Sequence, residues 1–301
     1  MADTILSSSF EGVLATRYLS AAGLTVLIYD HLLIFEKERR YIWPSKAGLI
    51  KWPLIINKYL VAIILMINAH SLSGLSTAGL SNNVCRAWLS IIGCLAILSI
   101  AICHGILILK LWKLWDGIRS IMIVTTIAYI MTEITSFVMV AFTASEIWSN
   151  AVYAPALRSC AIETTPPSLK VVWAIMVAFD LFVFLMVLFN ALSRPRDVNT
   201  HLIKILIHDG VLFFVVISAL GWLNLISNVT APTSKGELAT FCIWAMAVTI
   251  VSRMILNLRE AESMRQSING ADANDEMVED WDDIEYHELY SKPSKSYIIL
   301  P

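Results

Sequence analysis

Charge is what this chain has little of. Only 15% of its 301 residues are Asp, Glu, Lys or Arg, while 57% are hydrophobic and the mean hydropathy is +0.69. A soluble domain carries roughly 25% charged residues, so a soluble fold is excluded and no nucleic-acid partner is expected. Proline is missing from the interior of every long apolar run. Pro44, Pro53, Pro155, Pro166, Pro167, Pro195, Pro232, Pro293 and Pro301 all fall in gaps or at run edges, so no helix should kink mid-span. Met1 to Gly12 lacks the basic start of a secretory signal, and the first apolar run is expected to act as its own insertion signal.

What is present is seven apolar runs: Val13–Phe35, Pro53–Leu72, Ala87–Leu109, Ser120–Phe142, Leu169–Leu192, Leu202–Ile226 and Leu238–Leu258. About 20 apolar residues span a bilayer core as a helix. The expected fold is therefore all-α, a polytopic bundle of seven transmembrane helices over residues 1–260. Residues 261–301 are expected to form an acidic, disordered cytosolic tail. From Ala271 to Tyr290 that tail has nine carboxylates and no Lys or Arg, too little apolar surface to order itself. Tyr286 and Tyr297 each begin a tyrosine-x-x-bulky pattern of the kind found in sorting signals.

Lys and Arg fall in alternate gaps. Lys37, Arg39, Arg40, Lys46, Lys51, Lys58, Lys110, Lys113, Arg119, Arg194, Arg196, Lys204, Arg253, Arg259 and Arg265 lie on one side. Arg17, Arg86, Arg158, Lys170 and Lys235 lie on the other. Fifteen against five places the N-terminus outside and the C-terminus inside, in a plasma membrane or endomembrane. The sequon Asn228-Val229-Thr230 then falls outside, which makes Asn228 a candidate glycosylation site. Of five cysteines, Cys94, Cys103 and Cys242 lie within runs, whereas Cys85 and Cys160 both lie in outer loops. That is the oxidising face, and a Cys85–Cys160 disulfide would pin the loop before the fifth helix to the top of the third. The loop, Thr143–Ser168, also carries Trp148, Tyr153 and Pro166-Pro167, and reads either as a lid or as a plain connector.

Ionisable residues inside spans are costly, so they are the functional candidates. They divide by depth. Asp30, His31, His104, His208 and Asp209 share a level near the inner rim, with Arg253 at the inner end of the last helix as their counter-charge. Glu133, Asp180 and Asn224 lie deeper or further out and are the candidates for binding an ion or ligand. The rim set is either a polar network tying helices together or the ligands of a metal-dependent lipid hydrolase. No H-x-x-x-H pair supports the hydrolase, and neither metal nor cofactor is assigned. Glu133 could instead be satisfied locally by Thr132, Thr135 or Ser136. Rhodopsin-like signatures are missing. Lys110 to Trp115 contains no Asp/Glu-Arg-Tyr triplet, and the last span has no lysine for a Schiff base.

Tyr18 to Gly23, Tyr29-Asp30-His31-Leu32-Leu33 and Arg40-Tyr41-Ile42-Trp43-Pro44 resemble the N-terminal helix and first loop of a large family. This is a family of seven-helix proteins of mushroom-forming fungi whose N-terminal segment is catalogued only as a domain of unknown function. Lys110 to Trp115, His208 to Phe214 and Ser252 to Glu260 extend the resemblance, with Lys110 and Asp116 as departures from the family's Arg and Gly. The resemblance implies the fold and membrane residence but no activity.

The chain thus reads first as a receptor-like or sensor-like protein rather than an enzyme. An outer-facing pocket would take a small ligand from outside, and the basic inner loops would meet a cytosolic partner. The alternatives are an ion-coupled transporter using Glu133 and Asp180, and the lipid hydrolase. The expected orientation has a direct check: a C-terminal epitope should be reachable by antibody only after cells are permeabilised, and staining of intact cells would overturn it.

Overall fold

The computed structural model describes residues 2–45, 50–73, 81–115, 117–155, 159–162, 166–193, 215–216, 218–226, 228–230 and 240–270. The helices are α1 (Ala2–Tyr41), α2 (Lys51–Leu72), α3 (Asn82–Leu114), α4 (Arg119–Asn150), α5 (Pro167–Ser193) and α6 (Thr240–Gly270), and residues 218–226 are helical as well. Six helices among the described residues are long and apolar enough to cross a membrane. The protein is a multi-pass integral membrane protein of helical build.

The helices outrun the hydropathy-based spans, because hydropathy marks the bilayer core while a helix continues until its hydrogen bonding is stopped. α3 starts where the Ser81 side chain accepts from the Val84 N–H, five residues before the expected boundary at Ala87. It ends at Leu114 rather than Leu109, where the chain turns through Gly117 at φ +67°, a conformation glycine adopts without strain. α4 runs on to Asn150, so Trp148 belongs to a helix and not to the loop. α6 continues past Glu260 to Gly270, which moves the boundary expected at 260; the acidic stretch from Ala271 lies outside the described residues.

The connection from α4 to α5 contains a short antiparallel hairpin, β1 (Ala151–Ala154) and β2 (Ser159–Ile162), with Tyr153 opposite Cys160. Three contacts seat it on the start of α3. The Cys85–Cys160 disulfide joins Cα atoms 5.4 Å apart, Arg86 Nε donates to Ala151 O (3.2 Å), and the Tyr153 N–H donates to Asn82 Oδ1 (2.9 Å). The end of the bundle that carries this hairpin is called the hairpin end below.

Outward faces are apolar. α4 exposes Ile123, Ile127, Ile130, Ile134, Phe137 and Phe142, a stripe at helical spacing that suits lipid and not water. Inside, Leu27, Leu54, Val61, Leu107, Leu111, Trp244 and Met254 form the core. Threonine hydroxyls within helices close onto backbone carbonyls four residues back, as in Thr126 to Met122 O (2.6 Å) and Thr249 to Ala245 O (2.9 Å). This satisfies them where water is absent.

The ends of α1 opposite the hairpin are fastened by charge. Lys58 Nζ donates to Glu38 Oε2, with the two side chains only 3% and 2% exposed, and Tyr59 Oη adds a long contact to Glu38 Oε1 (3.5 Å). Lys58 is therefore an interior side chain of α2 and not a rim cation, as its basic-loop reading has it. Arg253 Nε of α6 pairs with Asp30 Oδ1, and Lys37 meets Glu260 at 2.7 Å nearer the surface. Gly23 lets α1 and α6 touch, since a Cβ there would stand 2.8 Å from the Cα of Cys242.

Removing one member of a buried ion pair leaves an uncompensated charge and costs roughly 3–5 kcal/mol, while replacing both with apolar groups is often neutral. Lys58→Met or Glu38→Leu should each lower the unfolding temperature in detergent sharply, and the double variant should recover most of the loss. Additive losses would show that the pair does not hold α1 to α2.

Candidate functional site

α3, α4 and α5 bring three ionisable side chains together in mid-bundle. His104 Nδ1 lies 2.8 Å from Glu133 Oε1 and His104 Nε2 lies 3.3 Å from Asp180 Oδ1, so each ring nitrogen faces a carboxylate from a different helix. All three are largely buried, with side-chain exposures of 5% for His104, 10% for Glu133 and 12% for Asp180. Phe179 packs against the imidazole with ring centroids 4.8 Å apart, and Tyr129 stands beyond it, its hydroxyl donating to Ala101 O (3.1 Å). Gly105 makes room for that tyrosine, as a Cβ there would stand 3.4 Å from its hydroxyl.

The helices that carry the triad are clamped on both sides of it. Toward the hairpin end, Ser168 Oγ donates to Glu146 Oε2 (2.6 Å) and also meets Thr143 Oγ1 (2.7 Å), joining α4 to α5. At the other end, Trp112 Nε1 donates to Thr125 Oγ1 (2.9 Å) and Asn190 Nδ2 to Leu114 O (3.2 Å), joining α3 to α4 and to α5. On the opposite face of α3, Ser99 receives two donors: Asn57 Nδ2 at its carbonyl (3.3 Å) and Trp244 Nε1 at its hydroxyl (2.8 Å). α2, α3 and α6 are thereby fixed one turn from His104.

Beside the triad is a cavity of about 50 Å³ between α3, α5, α6 and the 218–226 segment. Its walls include Cys103, His104, Trp173, Asp180, Gly221 and Val251. Space for a water needs roughly 10–15 Å³ by this measure, so a few waters fit and an organic ligand of ordinary size does not.

The depth grouping drawn from the sequence is rearranged. His104 stands with Glu133 and Asp180, not with Asp30 and His31; the longer α3 moves it away from the helix end. His31 faces α2, its Nδ1 bonded to Leu27 O (2.7 Å) and its Nε2 to Lys58 O (3.2 Å), with Tyr59 packed edge-on. Asp30 and Arg253 are in contact. His208 and Asp209 lie outside the described residues. Glu133 is met by His104 from the preceding helix; Thr135 spends its hydroxyl on Met131 O (2.7 Å), and Ser136 Oγ has no partner among the described residues. Asn224 is fully buried and receives the Asn228 side chain on its carbonyl (3.0 Å). The atom a glycan would occupy, Asn228 Nδ2, is thus buried and engaged, and glycan attachment there is not proposed. Among the described residues no group of three or more His, Cys, Asp or Glu is arranged to hold a metal, and His31 and His104 share no neighbour that would bring them onto one.

Sequence reasoning missed the Lys58–Glu38 pair and the hairpin. The first had a signal, a lysine five residues inside an apolar run with a glutamate on the preceding helix. Four-residue strands in a loop leave none.

Residues 18–63 match the model of a family of unknown function (DUF6533). The matched segment carries Gly23, Asp30, His31, Glu38 and Lys58, the residues that fasten α1 to its neighbours, and stops short of the triad. No curated protein matches the chain.

Proposed function

We propose that this is an ion-coupled integral membrane protein whose working centre is Glu133–His104–Asp180. One observation carries the reading: an imidazole held between two carboxylates, buried in mid-bundle beside a water-sized cavity. With both ring nitrogens donating, the three groups together carry one net negative charge. Such a charge away from water is expensive, and it is neutralised by taking up one cation, the smallest being a proton. Taking up and releasing that proton is the elementary act of an ion-coupled protein. A second reading, a receptor or sensor, draws on the disulfide-bound hairpin at the head of α3, which would relay an outside contact down that helix.

We also propose seven crossings, with the N-terminus outside. α1 and α6 run parallel, because Asp30 meets Arg253 and Lys37 meets Glu260 with the same separation of 223 residues. Successive crossings alternate in direction, so α1 and α6 can be parallel only if an odd number of crossings separates them. α2 to α5 supply four, and the stretch containing the 218–226 helix supplies the fifth. The basic asymmetry of the loops supports the outside N-terminus.

Proteoliposomes loaded with a pH-sensitive dye test the centre. An imposed membrane potential should drive proton entry, reduced at least about tenfold by Glu133→Gln or Asp180→Asn and unchanged by Glu260→Gln on the surface pair. Flux no greater than in empty liposomes, or flux indifferent to both substitutions, would defeat the ion-coupled reading and leave the receptor.

A further inference from the structure

Among the described residues, the end of α1 away from the hairpin holds more positive charge than its ion pairs use. Lys58 meets Glu38, Arg253 meets Asp30 and Lys37 meets Glu260. Lys51 Nζ is taken up by backbone, donating to Trp43 O (2.8 Å) and Ser45 O (2.6 Å). Arg39 and Arg40, in the last turn of α1, are exposed and have no ion-pair or hydrogen-bond partner among the described residues. Arg40 rests against the adjacent Tyr41, its Cζ 5.7 Å from the ring centroid. Glu36, one turn back and also exposed, pairs with neither arginine.

These arginines cap an apolar face. At 3.6 residues per turn, Leu32, Phe35 and Arg39 fall within a sector of about 60° on α1. Leu32 and Phe35 are exposed, and Trp43, exposed in the turn just after α1, meets the Phe35 ring edge-on at 5.9 Å. Lys51 Nζ, bound to the Trp43 carbonyl, also stands 5.7 Å from the ring centroid of Trp52, again exposed. Both tryptophans thus belong to the one turn that joins α1 to α2. Tryptophan at the end of an apolar stripe marks the headgroup level of a bilayer, so the two guanidinium groups stand where lipid phosphates lie.

We infer that the α1–α2 turn is a binding site for one anionic phospholipid, its phosphate on Arg39 and Arg40, an acyl chain along Phe35 and Leu32, and Trp43 and Trp52 beside its headgroup. A guanidinium presents parallel N–H donors that match two phosphate oxygens, and it does so at lower hydration cost than an ammonium. The occupant is a lipid rather than free phosphate, because the exposed apolar side chains that adjoin the arginines offer a free ion nothing. It is an anionic lipid because a zwitterionic one carries its own cation beside the phosphate. The orientation proposed above puts this turn in the cytoplasmic leaflet, which is the anionic one. Lys37 and Glu38, the residues just before, hold α6 and α2, so a lipid on Arg39 and Arg40 steadies the same turn from the bilayer side. The site lies within the family-matched segment 18–63 and is independent of the triad and of the ion-coupled reading.

Native mass spectrometry of the full-length protein released from detergent counts bound lipid directly. With phosphatidylserine titrated in, one molecule should stay bound at concentrations where phosphatidylcholine does not. A basic residue near an anionic headgroup is worth roughly fivefold in affinity. Arg39→Gln or Arg40→Gln should therefore weaken the retained lipid about fivefold, and the double variant about thirtyfold. Lys170→Gln, which removes a cation at the hairpin-side start of α5, should change nothing. Both arginines are exposed, so the variants should unfold at the wild-type temperature without added lipid; should the double variant not fold, either single variant decides. Equal retention of phosphatidylcholine, indifference to the arginine variants, or an equal loss from Lys170→Gln would overturn the inference. Displacement of the lipid by an equal concentration of inorganic phosphate would overturn it too, by making the turn a site for the free anion.

Discussion

A charge in the interior of a membrane bundle must find its opposite inside the protein, because no water is there to stabilise it. That constraint arranges this molecule. Glu38 meets Lys58, Asp30 meets Arg253, and His104 sits between Glu133 and Asp180, each contact joining different helices. Because every pair is interhelical, each one also sets the rotation and axial register of two helices, which apolar contact alone leaves loose. Where lipid-facing leucine and isoleucine would tolerate sliding by a turn, a buried lysine over a glutamate would not.

Some of this can be read from sequence and some cannot, for physical reasons. The apolar, membrane-crossing character and the approximate position of six helices follow from hydropathy, since a bilayer imposes a length and a polarity on every crossing. Cys85 and Cys160 can be paired by compartment, and the bond is present. Helix ends are not legible the same way: Ser81 as a cap and Gly117 as a turn act outside the hydrophobic core. That error carried into the site. With α3 ending at Leu109, His104 falls near the rim beside Asp30; with α3 ending at Leu114, it reaches the level of Glu133 and Asp180. Which residues share a depth depends on length, but which of them touch depends on rotation about each helix axis, and hydropathy does not specify that angle for a helix apolar all round.

α3 ties these features into one device. Cys85 and His104 lie 19 residues apart on it, roughly 28 Å along the axis. Between them Ser99 is held by Asn57 and Trp244, and beyond them Trp112 and Leu114 are held by Thr125 and Asn190. A helix so fastened is held in register with α2, α4, α5 and α6. Displacement of the hairpin would reach His104 as an axial shift, and the imidazole, placed between two carboxylates, would gain on one and lose on the other. The hairpin and the triad are in this sense joined by one continuous helix, which links the two proposed readings.

The distribution of unsatisfied polar atoms bears on which role the bundle is built around. Stability alone would favour side chains without open polar atoms at Asn224 and Trp173. Buried polar atoms left open, at about 1–3 kcal/mol each unless water reaches them, occur on both sides of the centre, Asn224 and Trp173 toward the hairpin and Ser218 and Ser252 away from it. A purely structural network would close its hydrogen bonds in the way Lys58 and Glu38 do, within the protein and without reference to water. The triad does not. Glu133 Oε2 remains without a partner among the described residues, the open acceptor that the proposed ion-coupled reading requires.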